Sequence, residues 1–510
     1  MDFYNYLEAV TICSLLCLTY KAVYRLLFNP IARFPGPRLA ALTFWYEFYY
    51  DVVLQGRYTW KIVELHERYG PIVRINPEEL HVLDPAFYST LYVGSVIRPT
   101  NKWYWSARMF GTSSAAVGTV DHDLHRHRRS ALSPFFSKNH ITQLGPRISK
   151  HINKLKKRLC QFKGTGIPVN LNHVFTSLTA DIIGDLAFGE GHEILGDHHS
   201  SSDWHAFMMD LSKNTHLMKQ FPSLYYLLTV LPRALVSFIH PLARQLFALE
   251  DSISLQIRVA QASAQKGKSP QTDTQQCMLD TLILSPHLAP SDKSLGRLWE
   301  ESLTLLGAGT VTTAWALSVT CYHVLSKPHI LESIQMELRD VCNDASSADY
   351  ESFPYLSAVI SEGLRLSHGT SHRLARISPH TDLQYGPHTI PAGTPVSMTQ
   401  MHMHLDAGVF PTPNEFLPER WLPECCTESE WRLRRSYLVP FSKGSRMCVG
   451  MNLALAELYL TIGRLFGPGG VGFGNGLELF ETGEKDVRVA RDWFNPVPDM
   501  TSQGVRVLVK

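Results

Sequence analysis

The sequence predicts a mainly α-helical fold with a minor β portion, and three observations predict it. Apolar residues recur at helical spacing over long stretches between about Asp121 and Ser367. Strand-like runs are short and gather in one early and one late patch. The chain has 510 residues, 45% hydrophobic and 18% charged, which is enough for a large apolar core. A net charge of +2 leaves no electrostatic footprint for a nucleic-acid partner. Nine scattered cysteines, with no Cys-x-x-Cys pair, exclude a disulfide scaffold and fit a reducing compartment.

The elements follow in order. An apolar run from Ala9 to Tyr20 widens to Tyr6–Phe28 if Lys21 and Arg25 reach the interface with their ends. Residues 1–28 are therefore expected to form an N-terminal membrane anchor, a buried amphipathic helix being the alternative. Asp2 and Glu8 precede the run and Lys21, Arg25 and Arg33 follow it, which places the body of the chain in the cytosol. Phe34-Pro35-Gly36-Pro37 stops the helix, so residues 29–40 read as a proline-rich hinge. Ile72–Ile75 and Glu79–Val82 read as strands split by Asn76-Pro77. Long helices are expected over Asn172–Phe188, Pro241–Gln261 and Leu298–Val324, and another over Asn452–Phe466. A strand-rich patch spans Asp382–Met403, and a last strand spans Val505–Val509. The polar stretches Gly196–Asp203, Ala264–Gln276 and Asn343–Ser352 read as loops. Gly467–Gly472 spells Gly-x-Gly-x-x-Gly, but it follows a helix and opens none, so it reads as a loop and not as a dinucleotide site.

The most specific chemistry lies in Phe441-Ser442-Lys443-Gly444-Ser445-Arg446-Met447-Cys448-Val449-Gly450. A cysteine between a glycine-bent loop and a helix start suits a thiolate metal ligand. Backbone N–H groups there point toward the sulfur and favour its negative charge. Gly444 permits a tight turn, Phe441 can shield the sulfur from water, and Arg446 can pair with a carboxylate. A buried, inert cysteine is the plain alternative.

This segment resembles the haem-binding loop of the cytochrome P-450 family. The resemblance implies a cytochrome P-450 fold, with residues 41–510 as a haem-thiolate monooxygenase domain and Cys448 as axial ligand to the iron of haem b. It makes Phe441, Gly444, Arg446 and Gly450 part of the haem-binding loop. Thiolate ligation in this family favours O–O cleavage. A second stretch, Leu305–Ala314, matches the family's central helix at Ala308, Gly309, Thr312 and Thr313. By that match Ala308 and Gly309 border the haem, and Thr312 bonds the iron-bound oxygen and guides its second proton. Glycines and threonines also weaken a helix turn, which would leave a groove for a small ligand and water; a packing seam of small residues is the other reading. Val311 stands where the family carries Asp or Glu, so the proton route must run through water, Thr310, Thr313 or elsewhere.

Further motifs agree with the family pattern. Glu362-Gly363-Leu364-Arg365 matches Glu-x-x-Arg, and with Arg420 it implies a structural clamp near the haem loop. Arg446, Arg129 and Arg376 are the candidate partners of the haem propionates, because the guanidinium fork suits a carboxylate. His125 holds the position where the family often has Trp. The loop from about Ile97 to Val120, with Trp103, Tyr104, Trp105 and Phe110, is expected to cap the pocket, and Leu305–Thr312 and His368–Leu374 to line the rest. His122, His125, His127, His402 and His404 read as structural, since no zinc-type ligand company surrounds them.

The wider pattern is similar to filamentous-fungal members, including trichodiene oxygenase-like and benzoate hydroxylase-like branches. It implies a single-pass protein of the endoplasmic reticulum membrane with its catalytic domain facing the cytosol. No flavin or nicotinamide motif is present, so electrons would come from NADPH through a partner reductase, with cytochrome b5 as a further donor. The implied reaction inserts one oxygen atom from O2 into a small apolar molecule, a step in fungal secondary-metabolite biosynthesis of a terpenoid or polyketide-like compound. Two alternatives stand beside it: a haem-thiolate isomerase or dehydratase independent of O2, and a non-catalytic haem-binding protein.

Overall fold

The computed structural model describes residues 2–189, 193–196, 198–240, 242–266, 276–342 and 344–510. Ten helices carry the architecture: α1 (Asp2–Val23), α2 (Tyr58–Tyr69), α3 (His122–Leu132), α4 (Gly145–Cys160), α5 (Leu171–Phe188), α6 (His198–Gln220), α7 (Ala243–Gln265), α8 (Leu295–Ser326), α9 (Pro354–Ser367) and α10 (Met451–Phe466). Shorter helical turns join them.

The core forms around α8, because this helix is apolar on nearly every side. From Leu305 onward it buries Leu306, Leu317, Val319, Cys321 and Val324 almost completely. Close helix approach explains two of the small residues. A β-carbon at Gly309 would lie 3.0 Å from Ile183 of α5, and one at Gly363 of α9 would strike the Thr320 hydroxyl of α8 at 2.0 Å. The helix runs unbroken from Leu295 to Ser326, so Gly309 serves packing against α5 and does not interrupt it.

The main sheet has five short strands: β1 (Ile72–Arg74), β2 (Leu80–Val82), β3 (Asn101–Lys102), β4 (Arg376–Ile377) and β5 (Pro395–Ser397). Their spatial order is β1-β2-β5-β4-β3, antiparallel throughout except for the parallel β2–β5 pair. This sheet matters for function because β3 and β4 pair Lys102 directly with Arg376. A smaller sheet is closed by Arg506–Val509, paired with Val169–Asn170 and Leu477–Leu479.

α1 projects from the body. The stretch Phe3–Phe28 is long and apolar enough to cross a membrane and is not buried against the rest of the chain. Residues 29–40, expected as a hinge, are docked on the body: Ile31, Phe34 and Ala40 are buried, and the Arg74 N–H donates to the Pro35 carbonyl at 2.7 Å.

Some expected loops are helical. Gly196–Asp203 enters α6 at His198, because Phe207 and Met208 one face further on bury against the core. α7 continues to Gln265, and residues 267–275 of the next expected loop lie outside the described residues. In Asn343–Ser352, whose first residue is likewise outside them, Ser346 and Asp349 form a reciprocal capping box that starts a helix over Ser347–Glu351. The strand-rich patch ends early: Gln400–His404 is helical, with the Gln400 amide donating to the Val439 carbonyl at 2.7 Å.

Candidate functional site

The ten-residue cysteine loop is bent by sterics. Gly444 has φ +77°, and a β-carbon there would lie 2.4 Å from the Val93 carbonyl oxygen. The Cys448 N–H donates to the Phe441 carbonyl at 2.9 Å and closes the loop. Gly450 is the first cap of α10, and its N–H points to the Cys448 sulfur. Cys448 is deep in the molecule, yet its side chain is open, because it faces an internal cavity of about 820 Å³. Burial pushes its thiol up; the Gly450 N–H and the Arg129 charge pull the other way. Phe441, Gly450, Ala308, Gly309 and Thr312 line the same cavity.

One wall of the cavity is cationic. Lys102, Arg129, Arg376 and Arg446 all line it, and among the described residues none of them has a carboxylate within ion-pair distance. Arg129 donates to the Met447 carbonyl at 2.6 Å, and Arg376 to that of Ala375 at 3.1 Å, which leaves most of each fork free. Arg446, the third candidate arginine, has a second role besides any carboxylate partner. Its guanidinium already binds the carbonyls of Thr100, Thr119, Val120 and Asp121 at 2.7–3.2 Å, and so ties the cysteine loop to the loop before α3. Burial and the crowding of like charge act together here. Burial first and then Arg376 bring Arg446 down to about 9, and burial with Arg376 and Arg446 brings Lys102 down to about 7. Burial, Arg446 and Arg129 hold His125 at about 2, so its ring is neutral, and its Nδ1 is buried without a partner. Four cations that line one cavity without counter-ions among the described residues, Arg376 buried and the others half-buried, call for an anion of at least two charges. A flat group with two carboxylates and a thiolate-seeking metal fits this wall and the open sulfur together. Haem b is such a group.

On the opposite side, α8 presents Thr312, whose hydroxyl donates to the Ala308 carbonyl at 2.8 Å. Thr310 is buried and donates to Leu306. Val311 lines the cavity and carries no proton. The sequence reading overlooked Glu457 of α10. It lines the cavity, is 1% exposed, and hydrogen-bonds with Thr313, one residue beyond Thr312. Burial lifts its carboxyl far above the usual carboxylate range against that hydrogen bond, so it keeps its proton. Its nine-residue spacing after Cys448, on the cavity face of α10, is the signal that could have found it. Lys102 was missed as well, because its pairing with Arg376 is a matter of strand register.

The roof comes from α6, α7, the loop before α3 and the turn of the Arg491–Val497 hairpin. Phe110, Met109, Phe207, Leu211, Leu246 and Phe494 line it. Trp103, Tyr104 and Trp105 do not reach the cavity. Trp103 is buried, Trp105 stacks on Phe44 at 4.3 Å, and the Tyr104 hydroxyl donates to Glu78 at 3.2 Å. The two indoles pack against Phe44, in the segment after α1, a contact that spacing could not reveal.

Glu362, Arg365 and Arg420 come together behind the loop. Arg365 grips Glu362 through two bonds of 2.8 and 2.7 Å, Arg420 joins at 3.3 Å, and the Trp421 indole donates to Glu362 at 2.9 Å. Arg365 also binds the carbonyls of His404, Pro413 and Glu415 at 2.6–2.9 Å. His122 and His404 are buried within the fold, and His402 is half-buried.

A protein-family model described as Cytochrome P450 matches residues 35–467. The chain is 41% identical over 99% of its length to the cytochrome P450 monooxygenase tpcC of Cochliobolus heterostrophus, covering 97% of that protein. It is 41% identical over 96% of its length to the tryptophan 6-hydroxylase fscE of Fusarium equiseti, covering 94%. It is 42% identical over 97% of its length to the N-acetyltryptophan 6-hydroxylase ivoC of Emericella nidulans, covering 96%.

Proposed function

The chain belongs to the cytochrome P450 family and is a haem-dependent monooxygenase, and from that premise we propose that Cys448 holds the haem iron and that a small, mostly apolar molecule is oxidised in the cavity above it. One observation carries this reading: an open cysteine sulfur and four unpaired cations share one cavity. Haem supplies, when bound, the reductive activation of O2 that leaves one oxygen atom in the product and one in water. Arg129 and Arg376 would hold the propionates, with Lys102 and the remaining N–H of Arg446 available beside them. Phe441 and the Gly450 N–H shield and orient the sulfur.

Proton supply is set by this chain's own residues. Val311 cannot donate, so Thr312 receives its proton by another path. The Glu457 carboxyl keeps a proton and bonds with Thr313, next to Thr312 on α8. Glu457 and Thr313 are therefore the proton store, and Thr312 holds the last hydroxyl before the reacting oxygen. The Glu362–Arg365–Arg420 clamp is structural and supports the loop from behind.

Residues 1–28 anchor the chain in the endoplasmic reticulum membrane, residues 29–40 form a docked connector, and residues 41–510 are the catalytic domain on the cytosolic side. The apolar, unburied helix supports the anchor. A reductase passes electrons from NADPH, with cytochrome b5 as a second donor. The fungal monooxygenases and hydroxylases named above support a role in small-molecule oxidation, and the apolar roof supports an apolar substrate.

The test is the reduced, carbon-monoxide-treated protein. It should show the red-shifted Soret band of a sulfur-ligated haem, and Cys448→Ser should lose it. An isomerase or dehydratase would form product under argon without NADPH, and a non-catalytic haem binder would consume no NADPH with any substrate and reductase supplied. Val311 is the feature that favours the isomerase reading.

A further inference from the structure

His372, in the loop between α9 and β4 and four residues before Arg376, lines the cavity while its back is fixed by a buried carboxylate. Its Nδ1 donates to Asp492 Oδ2 at 3.0 Å. Asp492 is saturated: it also accepts from the hydroxyls of Thr59 and Ser371, both at 2.9 Å, and from the Phe494 N–H at 2.8 Å. Both of its oxygens thus carry two donors. This excludes a cation shared by His216, His372 and Asp492, although their ligand atoms lie within 4.8 Å of one another. Four donors also keep Asp492 ionised, which fixes the hydrogen of His372 on Nδ1. Burial, opposed by Asp492, holds the His372 ring at about 4, so it is neutral at physiological pH.

The consequence is a lone pair. Nε2 of His372 must be the acceptor nitrogen, and it has no hydrogen-bond partner among the described residues. Aromatic rings frame it. Phe494 lies 6.2 Å from the His372 ring, and Phe110 meets Phe494 edge-on at 4.7 Å. All three line the cavity. An acceptor at the rim of an aromatic notch selects a flat or compact apolar molecule that offers one donor hydrogen.

We propose that His372 is a specificity-determining residue that accepts a hydrogen bond from an N–H or O–H of the substrate, with Asp492 as its positioning residue. The proposal rests on the reading of the cavity as a substrate chamber and names the substrate class: an apolar compound with a hydrogen-bond donor, such as an indole or an alcohol.

The experiment is equilibrium dialysis of the full-length, haem-loaded protein in phospholipid nanodiscs. Two probe pairs are used: indole against 1-methylindole, and 1-adamantanol against 1-methoxyadamantane. The carbon-monoxide spectrum of the same samples reports the haem-thiolate reading separately, so the two can fail independently. The wild-type protein should bind at least one donor probe more tightly than its methylated twin, by roughly three- to tenfold. The pair that discriminates tells N–H from O–H. His372→Phe keeps the ring and should erase the preference. Asp492→Asn can offer an amide hydrogen to Nδ1, which moves the imidazole hydrogen to Nε2, and should erase or reverse it. Equal affinity within both pairs, no binding of either donor probe, or a preference that survives His372→Phe overturns the proposal; survival would mean that the methyl group is rejected by shape alone.

Discussion

Arg373 and Arg376 are separated by two residues, both are buried, and both border the cavity, but their charges are treated in opposite ways. Arg373 binds Glu47 at 2.8 Å and Glu79 at 3.0 Å, within a network that also ties Lys219 of α6 to Glu47 and Asp51. Burial alone would push Glu47 up, but the charges of Arg373 and Lys219 win and hold it well below the usual carboxylate range. Arg376 binds only its neighbour's carbonyl and faces Lys102 and Arg446, and burial pulls it down. The first region is complete in itself: it pins the segment after α1, the end of α6 and the loop after α9 into one body. The second is incomplete without an anion. Paired buried charge marks architecture here, and unpaired buried charge marks a binding site.

Substitutions separate the two most sharply. Arg373→Met takes from Glu79 its only ion-pair partner among the described residues, leaves Glu47 to Lys219 alone, and should destabilise the fold by about 3–5 kcal/mol, read as the urea unfolding free energy of the haem-free domain. Arg376→Gln should leave that stability intact, yet haem retention against apomyoglobin should weaken by roughly tenfold or more. Equal stability losses would erase the distinction. Glu362→Gln belongs with the paired class, because it unbalances Arg365 and Arg420. It should lower the haem-loaded fraction more than it lowers turnover per bound haem, and the reverse result would argue against a clamp.

The next effect concerns the proton path. Thr312→Ala should cut product formed per NADPH by about tenfold while NADPH consumption continues. Glu457→Gln should do the same to a lesser degree and alter the solvent isotope effect, whereas unchanged coupling in both would remove Thr312 and Glu457 from the path.

The smallest effect is a pH dependence of the haem-free protein. Lys102 falls from its ordinary 10.5 to about 7 in the fold, so between those values the unfolded chain binds more protons than the native one. Stability from this group is then fully present above about 10.5 and is lost as pH falls toward 7. Unfolding of wild type and Lys102→Met, compared from pH 7 to 9, should show a rising difference in wild type's favour. The slope should vanish once haem is bound, if propionates supply the missing charge.

The cysteine loop, the threonine stretch and the Glu-x-x-Arg clamp were legible because each is a short run in which residue type and spacing carry the chemistry. Gly444 needs its left-handed backbone wherever the rest of the chain goes, and Glu362 and Arg365 meet on one helix face at i, i+3. The polar stretches before Trp204 and Tyr350 were misread as loops, because burial of a few apolar residues and one capping box outweighed local polarity. The roof aromatics misled for a related reason: Trp103 and Trp105 are apolar enough for a pocket, but Phe44, in the segment after α1, covers them first.

The sequence by itself determined the helical class, the thiol-bearing loop, the clamp, the apolar N-terminal run and the absence of an acid at Val311, since all of these are local in the chain. Only the tertiary structure decided which charges go unpaired, that Lys102 joins Arg376 across a strand pair, that Glu457 stands behind Thr313, and that His372 turns a free nitrogen to the cavity. The reason is that pairing and burial depend on what lies within a few ångströms in space, and those partners are up to hundreds of residues apart along the chain.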